Sequence, residues 1–190
     1  RKAGLPTAEK KDSQGICFIG EVDVREFLKK YISKSRGPVV TTSGKIVGEH
    51  DGLFSYTIGQ REGIGIGGGI PFYVVEKDLV RNMLIVAEGP YDEKLFLDEL
   101  VSTDINWVSG KTPKLPLQCQ ARIRYRQPLQ DCTIRKLPIT RRSRGSTQVA
   151  YDSLRTIFND PQRAVTPGQS IVFYHGEEAL GGGIITIAVA

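Results

Sequence analysis

Nine residues, QCQARIRYR from Gln118 to Arg126, alternate without a break: Cys119, Ala121, Ile123 and Tyr125 fall in one phase, and Gln118, Gln120, Arg122, Arg124 and Arg126 in the other. A helix, with its period near 3.6 residues, cannot separate these two sets, whereas successive side chains of a strand point to opposite faces. The stretch therefore predicts a half-buried strand with one face entering a core and the other cationic. Further strand-like runs at Thr133 to Leu137, Gln148 to Tyr151, Ser170 to Tyr174 and Gly183 to Val189 are separated by turn-rich loops. Together they predict a C-terminal antiparallel β-barrel or sandwich.

Upstream, Val39 to Thr42 and Lys45 to Gly48 flank a Ser43-Gly44 turn, while Phe72 to Glu76 and Met83 to Ala87 flank a polar turn, the pattern of a small sheet. Before it, Val24, Phe27, Leu28, Tyr31 and Ile32 recur at helical spacing, and Asp23 with Glu26 forms a capping box. Asp92 to Val101 fits a short helix or an irregular crossing, and the polar first fifteen residues, with Gly4 and Pro6, read as a loop or linker. The expected fold is mainly β with a short helix. It divides into a connector over 1–21, a small central β-rich domain over 22–98 and a C-terminal antiparallel β-barrel over 99–190.

The chain is 39% apolar and 25% charged, ordinary for a folded domain. No run approaches the roughly 18 apolar residues of a membrane span, and the opening residues lack the apolar centre of a signal peptide, so no membrane association and an intracellular, reducing setting are expected. Cys17, Cys119 and Cys132 are widely spaced, with no C-x-x-C pair and only His50 and His175 beside them, which points to neither a disulfide framework nor a zinc site.

The net charge of +5 is concentrated: between Cys119 and Arg144 eight Lys and Arg residues face the single acid Asp131, a local balance of +7. A row of arginines at every second position can pair with successive phosphates, since guanidinium binds them bidentately; the competing reading is a solvated strand. Ile139 to Ser146 reads as an exposed basic loop. GIGIGG at Gly63 to Gly68 fits the dinucleotide fingerprint formally, but Pro71 and the strand-like FYVVE follow where a helix is required, so it reads as a glycine turn.

Cys119 and Cys132 hold apolar-phase positions and read as structural. Cys17, in KDSQGICFIG, precedes a helix and lies near Lys10 and Lys11, whose charge favours a thiolate, yet ICFI is also an acceptable buried segment. Both readings stand on the residues alone.

Four ordered segments, KDSQGICFIG, GEHDGLFSYTIGQREGIGIGG, RIRYR and PQRAVTPGQSIVFYHGEEALGGGII, resemble the tRNA-specific 2-thiouridylase family over nearly the whole chain. The resemblance implies the central and C-terminal domains of such an enzyme, with ATP and Mg bound by an N-terminal ATP-pyrophosphatase domain whose phosphate loop this sequence lacks, and no cofactor on this chain. It implies that ATP adenylates the C2 oxygen of the wobble uridine in tRNA and that a cysteine persulfide supplies sulfur to C2. Cys17 matches the persulfide carrier, released by a disulfide with a second cysteine that neither Cys119 nor Cys132 matches. Arg124 and Tyr125 match an RY dipeptide and Gln169 a further tRNA contact, with Arg122 and Arg126 beside them; Tyr125, by its phase, points inward. Gln60 and Arg61 match a positioning motif. The implied partners are tRNA and a sulfur-donor protein, either a sulfur relay or a cysteine desulfurase, in a bacterial cytoplasm or a mitochondrion. The rival reading is a non-catalytic RNA-binding β-barrel module of the translation-factor type, with Cys17 merely buried.

Overall fold

The computed structural model describes Phe27, Tyr31 and residues 35–67, 69–137 and 153–189. The chain forms two compact units, Arg1–Lys34 and Ser35–Ala190. In the first, Phe27 is helical and its ring meets that of Tyr31, four residues on, with centroids 5.1 Å apart. The rest of the expected helix, the connector and Cys17 lie outside the described residues.

The second unit is built from strands. β1 (Gly37–Thr41) and β2 (Ile46–His50) form a hairpin, as do β3 (Phe72–Asp78) and β4 (Met83–Glu88). They make a sheet of order β2-β1-β4-β3, in which β1 and β4 run parallel. Between β2 and β3 the chain covers one face of this sheet, placing Leu53, Tyr56 and Ile64 against Val39, Val74, Leu84 and Val86. His50, 1% exposed, fastens one end: Gly52 N–H donates to Nδ1, which leaves Nε2 to donate to the Asn82 carbonyl at 3.0 Å. Asn82 also donates to the Arg36 carbonyl, so the two hairpins are joined by side-chain bonds as well as by the parallel ladder.

The remaining strands close a barrel of order β10-β5-β8-β7-β6-β9. They are β5 (Phe96–Trp107), β6 (Leu117–Arg122), β7 (Gln130–Lys136), β8 (Leu154–Arg163), β9 (Ser170–His175) and β10 (Glu178–Val189). Its interior is filled by alternate residues, among them Leu100, Ala121, Ile134, Phe173 and Ile185, all at most 1% exposed. Burial of each large side chain is worth about 1.5–3 kcal/mol against exposure. Closure leaves the barrel no free edge.

Two parts of the barrel differ from expectation. Asp92 to Val101 is a single 3-10 turn, Glu93–Leu95, capped by the Asp92 carboxylate on Lys94 N–H, followed directly by β5, so residue 98 falls inside a barrel strand. β8, LRTIFNDPQR, falls in the stretch between Tyr151 and Ser170 read as turn-rich loop, and Asn159, Asp160 and Pro161 are turn formers. It is nonetheless a strand: Leu154, Thr156 and Phe158 alternate inward, and the turn formers occupy a bulge where Glu99 faces Ile157 but Leu97 faces Gln162. A bulge is where a strand tolerates proline. The run Gln148 to Tyr151 and the basic loop 139–146 lie outside the described residues.

Candidate nucleic-acid interface

β6 stops at Arg122. The inward phase persists one step, to Ile123 at 3% exposed, and then the chain turns: Gln127 N–H donates to the Arg124 carbonyl at 3.2 Å, and Arg126 adopts the left-handed φ of 68°. Side chains hold the turn. Gln127 accepts from Ile123 N–H at 3.0 Å and donates to Gln162 Oε1 at 2.7 Å, while Gln162, 3% exposed, donates to the Asp160 carbonyl at 2.7 Å. The β8 bulge thus carries the turn. Consequently Tyr125 is 66% exposed, which corrects the inward orientation expected from its strand phase. The alternation that places it inside ends two residues before it.

Arg124 reaches from this turn to the next loop, where its Nη2 donates to the Ala164 carbonyl at 3.0 Å. The same carbonyl accepts from Thr166 Oγ1 at 2.9 Å, and Ala164 N–H is bonded to the Leu95 carbonyl. Partial burial, reinforced by the neighbouring Arg163 cation, lowers the Arg124 pKa from its ordinary value. Guanidinium titrates so high that the group remains charged at neutral pH.

The Gly59-Gln60-Arg61 loop of the small sheet meets the barrel here. Gly59 has φ of 82°, and a Cβ on it would stand 2.6 Å from Ala164 Cβ and 3.2 Å from Arg124 Nη2. Only glycine fits both the backbone region and the gap. The loop is laced to β3 by Gly59 N–H to the Val74 carbonyl and Val74 N–H to the Gln60 carbonyl. Gln60 closes it from within, accepting from Thr57 N–H at 2.9 Å and donating to the Glu62 carbonyl at 2.8 Å. Gln60 therefore shapes its own loop, and Arg61 beside it is exposed. Alongside, the Arg163 guanidinium lies 4.8 Å from the centroid of the Tyr73 ring, a second strut between sheet and barrel.

Arg122 lies over the ring of Tyr174 at 4.9 Å, with its Nε buried and unpartnered among the described residues, and Arg126 lies 5.6 Å from the Tyr125 ring. Among the described residues the arginine ion pairs are Arg36–Asp51, Arg81–Asp78 and Arg155–Glu99, so Arg122, Arg124, Arg126 and Arg163 keep their charge unmatched there by a carboxylate. Gln169, exposed, follows the Thr166-Pro167-Gly168 turn, its carbonyl accepting from Ile185 N–H at 2.8 Å. It borders a groove of about 1460 Å³ between sheet and barrel, shared with Tyr56, Lys77 and Lys94.

Gly59 of GQR, Arg124 of RY and Ala164, two residues before TPGQ, are therefore brought together. Arg124 bonds the Ala164 carbonyl and Gly59 lies close against both residues, with Arg122 and Arg126 at the base and tip of the same turn. Sequence reasoning missed Arg163, Tyr73, Gln127 and Gln162. Arg163 stands one residue before the AVTPGQ segment, but nothing local announces that it stacks on Tyr73, and the two glutamines are indistinguishable from surface residues by pattern.

The glycine loop does not suit a nucleotide. Gly63, Gly65 and Gly69 all have positive φ, but the chain passes into β3 at Phe72 with no helix whose N-terminus could hold a pyrophosphate. Cys119 and Cys132 lie far from this chemistry in role: they face each other across β6 and β7, 8% and 3% exposed. Their shared hydrogen bond, with burial behind it, pushes the Cys132 thiol up.

Residues 25–88 match the tRNA methyl transferase PRC-barrel domain and residues 97–185 the aminomethyltransferase beta-barrel domain. The chain is 49% identical over 186 residues to the tRNA-specific 2-thiouridylase MnmA 2 of Geobacillus kaustophilus, covering 97% of this chain and 47% of that protein. It is 49% identical over 189 residues to MnmA of Alkalilimnicola ehrlichii, with coverage of 96% and 48%, and 47% identical over 194 residues to MnmA of Pseudomonas paraeruginosa, with coverage of 100% and 48%. The chain spans about half the length of the curated relatives it matches. Its two matched domains and these relatives place it in the tRNA-specific 2-thiouridylase family.

Proposed function

We propose that this chain is the tRNA-gripping part of an enzyme that replaces the C2 oxygen of a wobble uridine by sulfur. The observation that carries the reading is the ledge on which Arg124, the Gly59-Gln60-Arg61 loop and the 164–169 loop meet, edged by four arginines without carboxylate partners among the described residues and by the exposed ring of Tyr125. Phosphates pair with such cations, and an exposed ring beside them offers a face to an unstacked base. Arg122, Arg124 and Arg126 supply the grip, Tyr125 and Gln169 touch the nucleic acid, and Gln60 and Arg61 set the loop beside it.

In this reading ATP with Mg is held by an N-terminal ATP-pyrophosphatase domain of the full-length enzyme, as the family resemblance implies. Adenylation of the C2 oxygen makes it a leaving group, and a persulfide on Cys17, loaded by a sulfur-donor protein, delivers its outer sulfur to C2. A second cysteine outside the chain then forms a disulfide with Cys17 and frees the product. The cellular setting is a bacterial cytoplasm or a mitochondrion.

The grip is tested on the chain itself by measuring tRNA affinity against salt. Arg126→Ala, at an exposed site, lowers affinity at low salt and reduces the slope of log K on log salt by about 0.7–0.9 for each phosphate the protein no longer neutralises; an unchanged slope refutes the grip. The sulfur step is tested in the full-length enzyme by quantifying 2-thiouridine. Cys17→Ser abolishes it while Cys119→Ser retains it, and thiolation by Cys17→Ser leaves the chain as an RNA-binding accessory.

A further inference from the structure

Cys119 and Cys132 are direct partners in the antiparallel β6–β7 ladder, and their Sγ atoms lie 3.7 Å apart. Directly opposed positions in an antiparallel pair have Cα atoms about 4.5–5.5 Å apart, inside the range that a disulfide spans. Side-chain rotation alone can therefore bring the sulfurs to bonding distance without moving either strand. Both residues are among those bordering a cleft of about 390 Å³ on the barrel, alongside Gln120, Asp131, Asn159 and His175, while their side chains pack in the barrel core at 8% and 3% exposed.

We propose that Cys119 and Cys132 form a reversible oxidative modification site, a cross-strand dithiol that a hydroperoxide converts to a disulfide within the folded barrel. In the first step the Cys119 sulfur attacks one peroxide oxygen, the O–O bond breaks, and Cys119 sulfenic acid and one water (for hydrogen peroxide) form. In the second, the Cys132 sulfur attacks the sulfenic sulfur, the S–S bond forms, and the hydroxyl leaves as a second water with the Cys132 proton. Two electrons pass from the two thiols to the peroxide. Either thiol can donate to the other across this contact, so the two cysteines can exchange these roles. A thiolate-like sulfur is the one that peroxide oxidises, and a resolving thiol in contact carries the product to the disulfide.

The bridge joins the two strands of the hairpin whose tip holds Arg124, Tyr125 and Arg126, so it ties the base of the proposed tRNA grip. It does not depend on that function, and its test is separate from the tRNA-binding measurement.

The experiment uses the chain with Cys17→Ser, which removes thiol exchange from the connector. The reduced protein is treated with hydrogen peroxide under native conditions, blocked with an alkylating reagent and digested with trypsin. The sequence gives peptides 115–122 and 127–135, one cysteine in each. The expected result is a linked pair of these peptides, two hydrogens lighter than their sum, that disappears on treatment with dithiothreitol and is absent in Cys119→Ser. Full alkylation of both cysteines after native treatment, a link formed only in denaturant, or over-oxidation of either cysteine without a link would each overturn the proposal.

Discussion

Replacement of Gly59 by alanine isolates the contact on which the ledge depends. Two costs are separable. Alanine at a φ of 82° occupies the left-handed region, at about 1–2 kcal/mol. The new methyl would also lie 2.6 Å from Ala164 Cβ, against 3.4–4 Å for ordinary contact, and such overpacking adds about 1–3 kcal/mol. Together they cost about 3 kcal/mol. Two other glycines of the same region calibrate it. Gly65 has a φ of 77° but open space around it, so Gly65→Ala carries the backbone cost alone, and Gly67, in open space with no positive φ, is nearly neutral to alanine. Urea denaturation followed by the fluorescence of the single tryptophan, Trp107, stacked on Phe173 in the barrel, reads the effect. The expected order of stability is Gly67→Ala, then Gly65→Ala, then Gly59→Ala. Gly59→Ala no less stable than Gly65→Ala would refute the close approach of loop and barrel.

Thr156 Oγ1 is buried without a hydrogen-bond partner among the described residues, so Thr156→Val, of nearly equal shape, is expected to stabilise the barrel by about 1 kcal/mol in the same denaturation assay. Gln162→Ala removes the buried link from Gln127 to the bulge; it should cost about 2 kcal/mol and weaken tRNA binding, because the Arg124 turn is then unsupported. A double-mutant cycle of Arg163→Ala with Tyr73→Ala should return a coupling of about 0.5–1 kcal/mol, and additive effects would deny the stacking contact.

Much of the architecture was legible because strand alternation and turn residues are local signals. Val39 to Thr42, Phe72 to Glu76, Met83 to Ala87 and Ser170 to Tyr174 coincide with strands for that reason. β8 was illegible for the same reason inverted: Asn159, Asp160 and Pro161 advertise a turn, and only the unequal pairing with β5 accommodates them as a bulge within a strand. Tyr125 shows where periodicity stops carrying information. Its phase is set by β6, but its direction is set by a turn that Gln127 and Gln162, far apart in the chain, hold in place.

By itself the sequence determined the β character, the inward set of Cys119, Ala121 and Ile123, the concentration of arginine after Cys119, and the motifs that tie the chain to its family. Each is carried by neighbouring residues or by residue order. Only the tertiary structure decided that Gly59, Arg124 and Ala164 meet, that Arg163 stacks on Tyr73, and that Cys119 and Cys132 stand in contact. Those outcomes depend on barrel closure and on the packing of loop 59 against residue 164, which join positions about a hundred residues apart. No local pattern records such a meeting, because the free energy that enforces it comes from surfaces that exist only once the strands have closed.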